Sequence, residues 1–528
     1  MQLREPRSID GRRAPGPRGA RAAPAASQCA CYGSSLATSG RPEASEQAAQ
    51  RCWHQPLHEP ETDRRSDVDL ARSRGAELQW AHLPPPITRP EAGGIMLCNL
   101  ALLSLAAQLA SVSASKECAI TDHGADASAA NNTAAIQKAI AACAAGGTVI
   151  VTGGDFKTGP LVVSGGTNLA LQVEAGASLV AAFGPDDWPV TSSASLAASL
   201  RSPEHGIRPG CPCRTKGCCP ATSGHYQDFI VFDNCEGCSL RGKGTIFGKG
   251  GRPPSGFDWY YLFDQHKLKH SRPMFVTVNA CKNFTMAGVK LLDAPEFNVA
   301  LNGVTGAEIH DVNITSTWYV DPKSKKLMEP HNTDAIDPGG GSSNIHIHDV
   351  WVHNGDDSVA VKPSKLGDCT RDILVENSHF EFGHGCSIGS VGSGCVENVL
   401  FRNITMRKQE CGCRVKTYSE SEGHVHNITW REITVDDTDD CVTVNANYKP
   451  LPKDPKHFID VSGLTFTDIV GTNCGNPPEF VCPEQAPCKR ITLDNVKLSG
   501  KGDFKMNCLN AQGTAADGVV PKSCLGPD

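Results

Sequence analysis

Four segments in the second half of the chain share one pattern of apolar and polar positions. "NIHIHDVWVHNGDDSVAVK" begins at Asn344, "DILVENSHFEFGHGCSIGS" at Asp372, "NVLFRNITMRKQECGCRVK" at Asn398 and "NITWREITVDDTDDCVTVN" at Asn427. Their starts lie 28, 26 and 29 residues apart. Each reads as a polar residue followed by three short apolar runs separated by polar turns. Runs rich in Val, Ile and Thr that alternate with polar residues signal strands. A fixed period of 20 to 50 residues signals stacked repeats. No long helical periodicity separates the runs, which excludes most α-solenoids. The pattern therefore predicts an all-β fold, a right-handed parallel β-helix solenoid in which each repeat is one coil. Strands of successive coils would pair in parallel about 4.8 Å apart. Inward residues would stack into an apolar column, leaving outward residues free for chemistry. Weaker coils appear earlier, in "NLALQVEAGASLV" and "NFTMAGVKLLDAPEFNVALNG", and later, in "FIDVSGLTFTDIV" and "RITLDNVKLSG". One helical segment, "NNTAAIQKAIAACAAGG" from Asn131, is predicted as a short N-terminal helix capping the open end of the solenoid.

The start of the chain does not follow this pattern. Residues 1–95 are rich in Arg, Ala, Pro and Gly and read as a disordered leader. Residues 96–114, within "MLCNLALLSLAAQLASVSASKE", are apolar over too short a run for a membrane span and end in small residues, as a secretory signal peptide does. A signal belongs at the start of a chain, so Met96 is the expected initiator and the leader an artefact of the gene model. The competing reading is a signal anchor behind a cytoplasmic tail. Residues 115–528 would then be the secreted solenoid domain, with no stable membrane association after signal cleavage, acting as a monomer outside the cell or in the cell wall.

Cysteine usage agrees with export. Of 24 cysteines, Cys29, Cys31, Cys52 and Cys98 precede the mature start, leaving an even and high number that fits disulfides. "CPCRTKGCC" (Cys211 to Cys219) lacks a histidine at ligand spacing, so the insertion near 205–222 is expected to be stapled by disulfides rather than zinc. Asn131, Asn283, Asn313, Asn403 and Asn427 open N-x-Thr sites for glycosylation. The net charge of -7 offers no field for nucleic acid, so an anionic ligand would need local basic groups.

The stretch from His331 to Lys362 holds Asp334, Asp337, Asp349, Asp356 and Asp357 among β-branched residues. Buried strands do not tolerate such charges without a use for them. The repeat stacks Asp356 and His384, each 12 residues into its coil, with Arg414 and Lys416 one coil further and Asp334 about one coil earlier. Three carboxylates, an imidazole and two cations would share one outer surface. Like charges that close raise at least one carboxyl pKa, which keeps an acid protonated beside ionised neighbours. Asp337 and Asp349 are read as turn residues bonding backbone N–H groups. His331, His346, His348 and His353 suggest a metal cluster, and His346 and His348 share a strand face. No thiolate or carboxylate pair completes a ligand set in sequence, so neither a metal nor another cofactor is expected.

The order of four short motifs resembles glycoside hydrolase family 28, the polygalacturonases. They are Asn332-Thr333-Asp334, Gly355-Asp356-Asp357, Gly383-His384-Gly385 and Arg414-Val415-Lys416, with valine where the family carries isoleucine, and Tyr448 follows in "NANY". The resemblance runs from about Ile120 to Cys508; the cysteine-rich insertion and the leader depart from it. It implies a pectic polysaccharide as partner and hydrolysis of α-1,4-galacturonosidic bonds with inversion. By resemblance, Asp356 is the general acid, Asp334 and Asp357 activate water, and His384 tunes the acid or contacts substrate. Asn332, Arg414, Lys416 and Tyr448 would contact the sugar, the two cations gripping its carboxylate. Inverting enzymes separate their carboxyls by about 6.5–9.5 Å. Stacked coils and adjacent residues predict a closer set, so inversion rests on the resemblance alone. Three other readings remain. One is a rhamnogalacturonan or xylogalacturonan hydrolase; another is a calcium-dependent pectate-lyase-like enzyme using "HNGDD"; the third is a non-catalytic β-helix that binds carbohydrate.

Overall fold

The computed structural model describes residues 116–191, 225–364, 368–448 and 455–528. Among them the chain is a parallel β-helix. It carries one sheet of 19 strands and a second of 11, and strands within each pair in parallel from coil to coil. The register is the one the repeat predicts: Ile345, Ile373, Val399 and Ile428 stack in one column. The leader, the signal segment and the insertion at Cys211–Cys219 lie outside the described residues.

The bends come from the polar residue that opens each repeat. Asn344, Asp372, Asn398 and Asn427 all have positive φ, between 54° and 57°. Asn and Asp enter this left-handed region at low cost because their short side chains can bond locally. They also bond each other from coil to coil: Asn398 Nδ2 donates to Asp372 Oδ1 at 3.0 Å, and Asn427 Nδ2 to Asn398 Oδ1 at 2.8 Å. Inward positions are filled by a continuous apolar column. Trp430 is fully buried between Phe401, with ring centroids 5.6 Å apart, and Phe466, at 4.8 Å.

The helix Thr133–Cys143 closes the first coil. Ile136, Ala139 and Ile140 bury its inner side, and a Cys118–Cys143 disulfide ties it to the strand Lys116–Ala119. Five disulfides occur among the described residues. Six further cysteines are buried thiols, more than the export argument anticipated. Cys386 and Cys413 act there as small apolar core residues. All five N-x-Thr asparagines are exposed. No helix among the described residues is long and apolar enough to cross a membrane.

Candidate active site

Five strands of the 11-stranded sheet build the site: Ile336–Gly339, Val359–Val361, Cys386–Val391, Cys411–Thr417 and Asp440–Asn445. Asp334, Asp356, Asp357 and His384 sit in the turns that enter the first three. Arg414 and Lys416 sit two apart within the fourth, so they project from one face. Ile336 pairs with Val359 and Val359 with Cys386, which sets His384 level with Asp357. Counting from the repeat start placed it level with Asp356; the turns differ in length by one residue. The imidazole reaches back, and its Nδ1 lies 3.1 Å from Asp356 Oδ1.

The glycines beside these residues are there for space. A Cβ on Gly383 would come 2.2 Å from Asn354 Oδ1 and 2.6 Å from the Asp356 carbonyl. Gly385 has φ +66° and would meet the Cys411 carbonyl at 2.3 Å. A Cβ on Gly355 would strike Pro330 at 2.4 Å. The backbone between them is pinned by Gln409 Oε1, which accepts from Gly383 N and Gly385 N at 3.2 and 2.8 Å. Close coil-to-coil approach thus explains the glycines around Asp356 and His384.

At the centre is a residue the sequence reading missed, Lys362. Its buried Nζ lies 2.9 Å from Asp334, 3.6 Å from Asp337 and 3.8 Å from Asp357. Lys416 Nζ donates to Asp357 Oδ2 at 2.7 Å, Ser387 Oγ donates to Asp357 Oδ1 at 2.7 Å, and Arg414 stands 3.9 Å from the same carboxylate. Asp337 was expected to be a turn residue bonding backbone N–H groups. It instead lies in a strand, fully buried, with neither carboxylate oxygen hydrogen-bonded. It belongs to the charged cluster. The signal was available in the alternation of "AIDPGG": Ile336 turns into the core, so Asp337 falls on the opposite face, in register with Ser387 and Arg414. Asp349 does occupy a turn, φ 52°, and its carboxylate takes His348 Nδ1 at 2.6 Å.

The carboxyls are driven apart in acidity. Burial raises Asp334, and repulsion from Asp356 and Asp357 adds to it against the pull of Lys362, leaving its pKa at about 7. Asp337 goes well above the carboxylate range for the same reasons, burial first and then Asp334. Burial would also raise Asp356, but His384, Lys416 and Lys362 outweigh it and hold Asp356 well below its usual value. Lys416, Lys362 and Arg414 likewise keep Asp357 ionised against burial. The raise falls on Asp334 and Asp337, and not on Asp356, which was expected to be the protonated acid. His384 is raised well above the usual imidazole value: burial opposes this, and Asp356, Glu329 and Glu410 dominate. Glu410 Oε2 approaches His384 Nε2 to 3.1 Å, placed for charge attraction rather than a hydrogen bond.

Asn332, expected to contact the sugar, donates its backbone N–H to Asp356 Oδ2 at 3.0 Å, and its side-chain oxygen accepts from Arg272 at 3.2 Å. It holds Asp356 in place. Tyr448 is 36% exposed, and both cations face its ring, Arg414 at 5.3 Å and Lys416 at 5.9 Å. His331, dismissed with the histidine cluster, bridges Asp264 at 3.0 Å and Glu329 at 3.0 Å. Asp264 ends the helix Trp259–Asp264, so this segment forms one wall of the site. His353 lies apart from these, tilted against Phe382. Ligand atoms of Asp356, Asp357 and His384 lie within 4.8 Å of one another, close enough to hold a cation. Two ammonium groups already supply positive charge at that point.

The profile described as Glycosyl hydrolases family 28 matches residues 213–524. The chain belongs to this family. An Arabidopsis thaliana protein named probable polygalacturonase is 30% identical over 317 residues, 57% of this chain and 63% of that one. A probable rhamnogalacturonase C of Aspergillus flavus is 29% identical over 300 residues, 56% of this chain and 60% of that one. The chain thus spans less than two thirds of either relative. The solved polygalacturonase of Erwinia carotovora superposes with a TM-score of 0.58 at 24% identity, over 76% of this chain and 97% of that structure, and shows the same fold.

Proposed function

We propose that this protein is a secreted polygalacturonase that hydrolyses α-1,4-galacturonosidic bonds of pectin by carboxylate acid/base catalysis, with inversion. The observation that carries the reading is the meeting of Asp334, Asp356 and Asp357 with His384, Lys416 and Arg414 beside an exposed tyrosine ring. A site of this kind protonates a leaving oxygen and activates a water at once. Below about pH 7 the three carboxyls share a proton that rests on Asp334 in the free site. Asp356, ionised in the free site, takes a proton from the His384 imidazolium across their 3.1 Å contact and passes it to the leaving oxygen as the bond breaks. Asp357, held ionised, takes the proton of the attacking water, which Asp334 helps to hold. Arg414 and Lys416 bind a sugar carboxylate, and Tyr448 supports the ring. Family membership and the disulfides support hydrolysis outside the cell.

A second reading is favoured by one feature. Glu329 and Glu410 flank His384, so the subsite on that side would repel a uronate and accept a neutral sugar, as in rhamnogalacturonan. The experiment is reducing-sugar release from polygalacturonate, highly esterified pectin and rhamnogalacturonan, with proton NMR of the first-formed anomer. Fastest release from de-esterified polygalacturonate with an inverted product supports the proposal. Faster release from rhamnogalacturonan favours the second reading. An unsaturated product absorbing at about 235 nm would instead mark a lyase and overturn both.

A further inference from the structure

The histidines "HIH" of the strand Ser343–His348 were set aside for want of a further ligand. Coil stacking supplies one. Ile345 and Ile347 turn into the core, so His346 and His348 stand on the outer face of the 19-stranded sheet. The neighbouring coil runs Thr305–His310, and its register sets Glu308 beside His346 and His310 beside His348. His348 Nε2 lies 3.4 Å from Glu308 Oε1, and the rings of His346 and His348 are 4.2 Å apart. One ligand atom from each of Glu308, His346 and His348 falls within 4.8 Å of the others.

We propose that Glu308, His346 and His348 form a binding site for one divalent transition-metal ion such as zinc, on a sheet separate from the catalytic one. Two imidazoles and a carboxylate suit zinc, which takes such ligands at about 2.0–2.2 Å and completes a tetrahedron with water. Ligands on a tetrahedral ion of that size lie roughly 3.3 Å apart, so small rotations of the exposed Glu308 and the partly buried imidazoles close the set. The second ring nitrogens are already engaged. Asp349 takes His348 Nδ1 at 2.6 Å, and Glu376 takes His346 Nε2 at 3.0 Å. Glu376 is itself held by Arg402 Nε at 2.8 Å. Carboxylates that orient ligating histidines in this way are the usual outer partners of a zinc site. They fix the proton on one nitrogen, leaving the Nε2 of His348 and the Nδ1 of His346 to offer a lone pair. The ion would join two successive coils, which are already linked across the outer face by the strand ladder, these polar contacts and the stacked rings of His310 and His348, 5.1 Å apart.

The test is cobalt and zinc titration of the purified full-length protein, following the d–d spectrum of cobalt and the heat of zinc binding. Wild type should bind at micromolar metal with a tetrahedral cobalt spectrum, and zinc should raise its melting temperature. His346→Ala combined with His348→Ala should remove one bound equivalent, and Glu308→Gln should weaken that site. Asp349→Ala should weaken it by about 10- to 100-fold. A second cluster, Glu397, His424 and His426, has similar donors two to three coils away. The His424→Ala plus His426→Ala variant therefore serves as the control and should leave this equivalent in place. Hydrolytic activity without added metal should be unchanged in the His346/His348 variant, which shows that it is folded. Absence of micromolar binding by wild type, or unchanged stoichiometry in the folded His346/His348 variant, overturns the proposal.

Discussion

Asp334→Asn should make the protein more stable at neutral pH while disabling it. An aspartate in the unfolded chain titrates at about 3.9, and Asp334 in the folded site titrates at about 7. The folded state therefore binds the extra proton between these values. The stability this provides is fully present below about pH 4 and is lost as pH rises through about 7. Three units at 1.36 kcal/mol each give a loss of about 4 kcal/mol from this one group. The cause is a fully buried carboxyl facing two other aspartates, with a single ammonium at 2.9 Å to offset them. Asparagine keeps the shape and cannot ionise, and Lys362 keeps Asp337 and Asp357 as partners. Urea unfolding of wild type and variant at a series of pH values from about 4 to about 8 reads the difference. Relative to wild type, the variant should gain about 4 kcal/mol across that range, while its kcat falls by two orders of magnitude or more. Parallel stability curves would refute the argument, because they would mean that Asp334 ionises in the folded protein as it does in the unfolded one.

Asp356→Asn should lower kcat by about 100- to 10,000-fold with KM little changed, measured by reducing-sugar release. Arg414→Ala should raise KM for de-esterified substrate about ten-fold or more, since a hydrogen bond to a charged partner is worth roughly 1.5–3 kcal/mol; Lys416→Ala should lower kcat as well, because the same ammonium touches Asp357 at 2.7 Å. Lys362→Met strands buried carboxylates and should cost about 3–5 kcal/mol at neutral pH; the loss should shrink in acid, where those carboxyls protonate, and calorimetry across pH tests this. Trp430→Ala, which cuts the aromatic column between Phe401 and Phe466, should cost about 3–5 kcal/mol without changing KM.

The spacing of apolar runs was enough to establish the solenoid. A coil must return each strand to its neighbour's register, so Asn344, Asp372, Asn398 and Asn427 had to recur at the bends, and their left-handed φ values are the physical cause of the repeat. The capping helix was legible because Ile136, Ala139 and Ile140 recur at helical spacing. The catalytic candidates were legible because strand alternation and coil length bring residues about one period apart to one surface. Contacts that depend on turns of unequal length were not. The one-residue shift of His384, the engagement of Asn332 with Asp356 and the wall built around Asp264 and His331 were settled only by the packed chain. Lys362 and Asp337 escaped for another reason. In a sequence each is one charge near others, and only burial turns their pairing into the dominant electrostatic fact of the site. The same holds for Glu308, 38 residues before His346 in the chain and its direct neighbour across the sheet. Sequence determined which side chains were present and how often the coil returned. Tertiary structure decided which carboxyl keeps its proton, because that depends on distances and burial that no local pattern encodes.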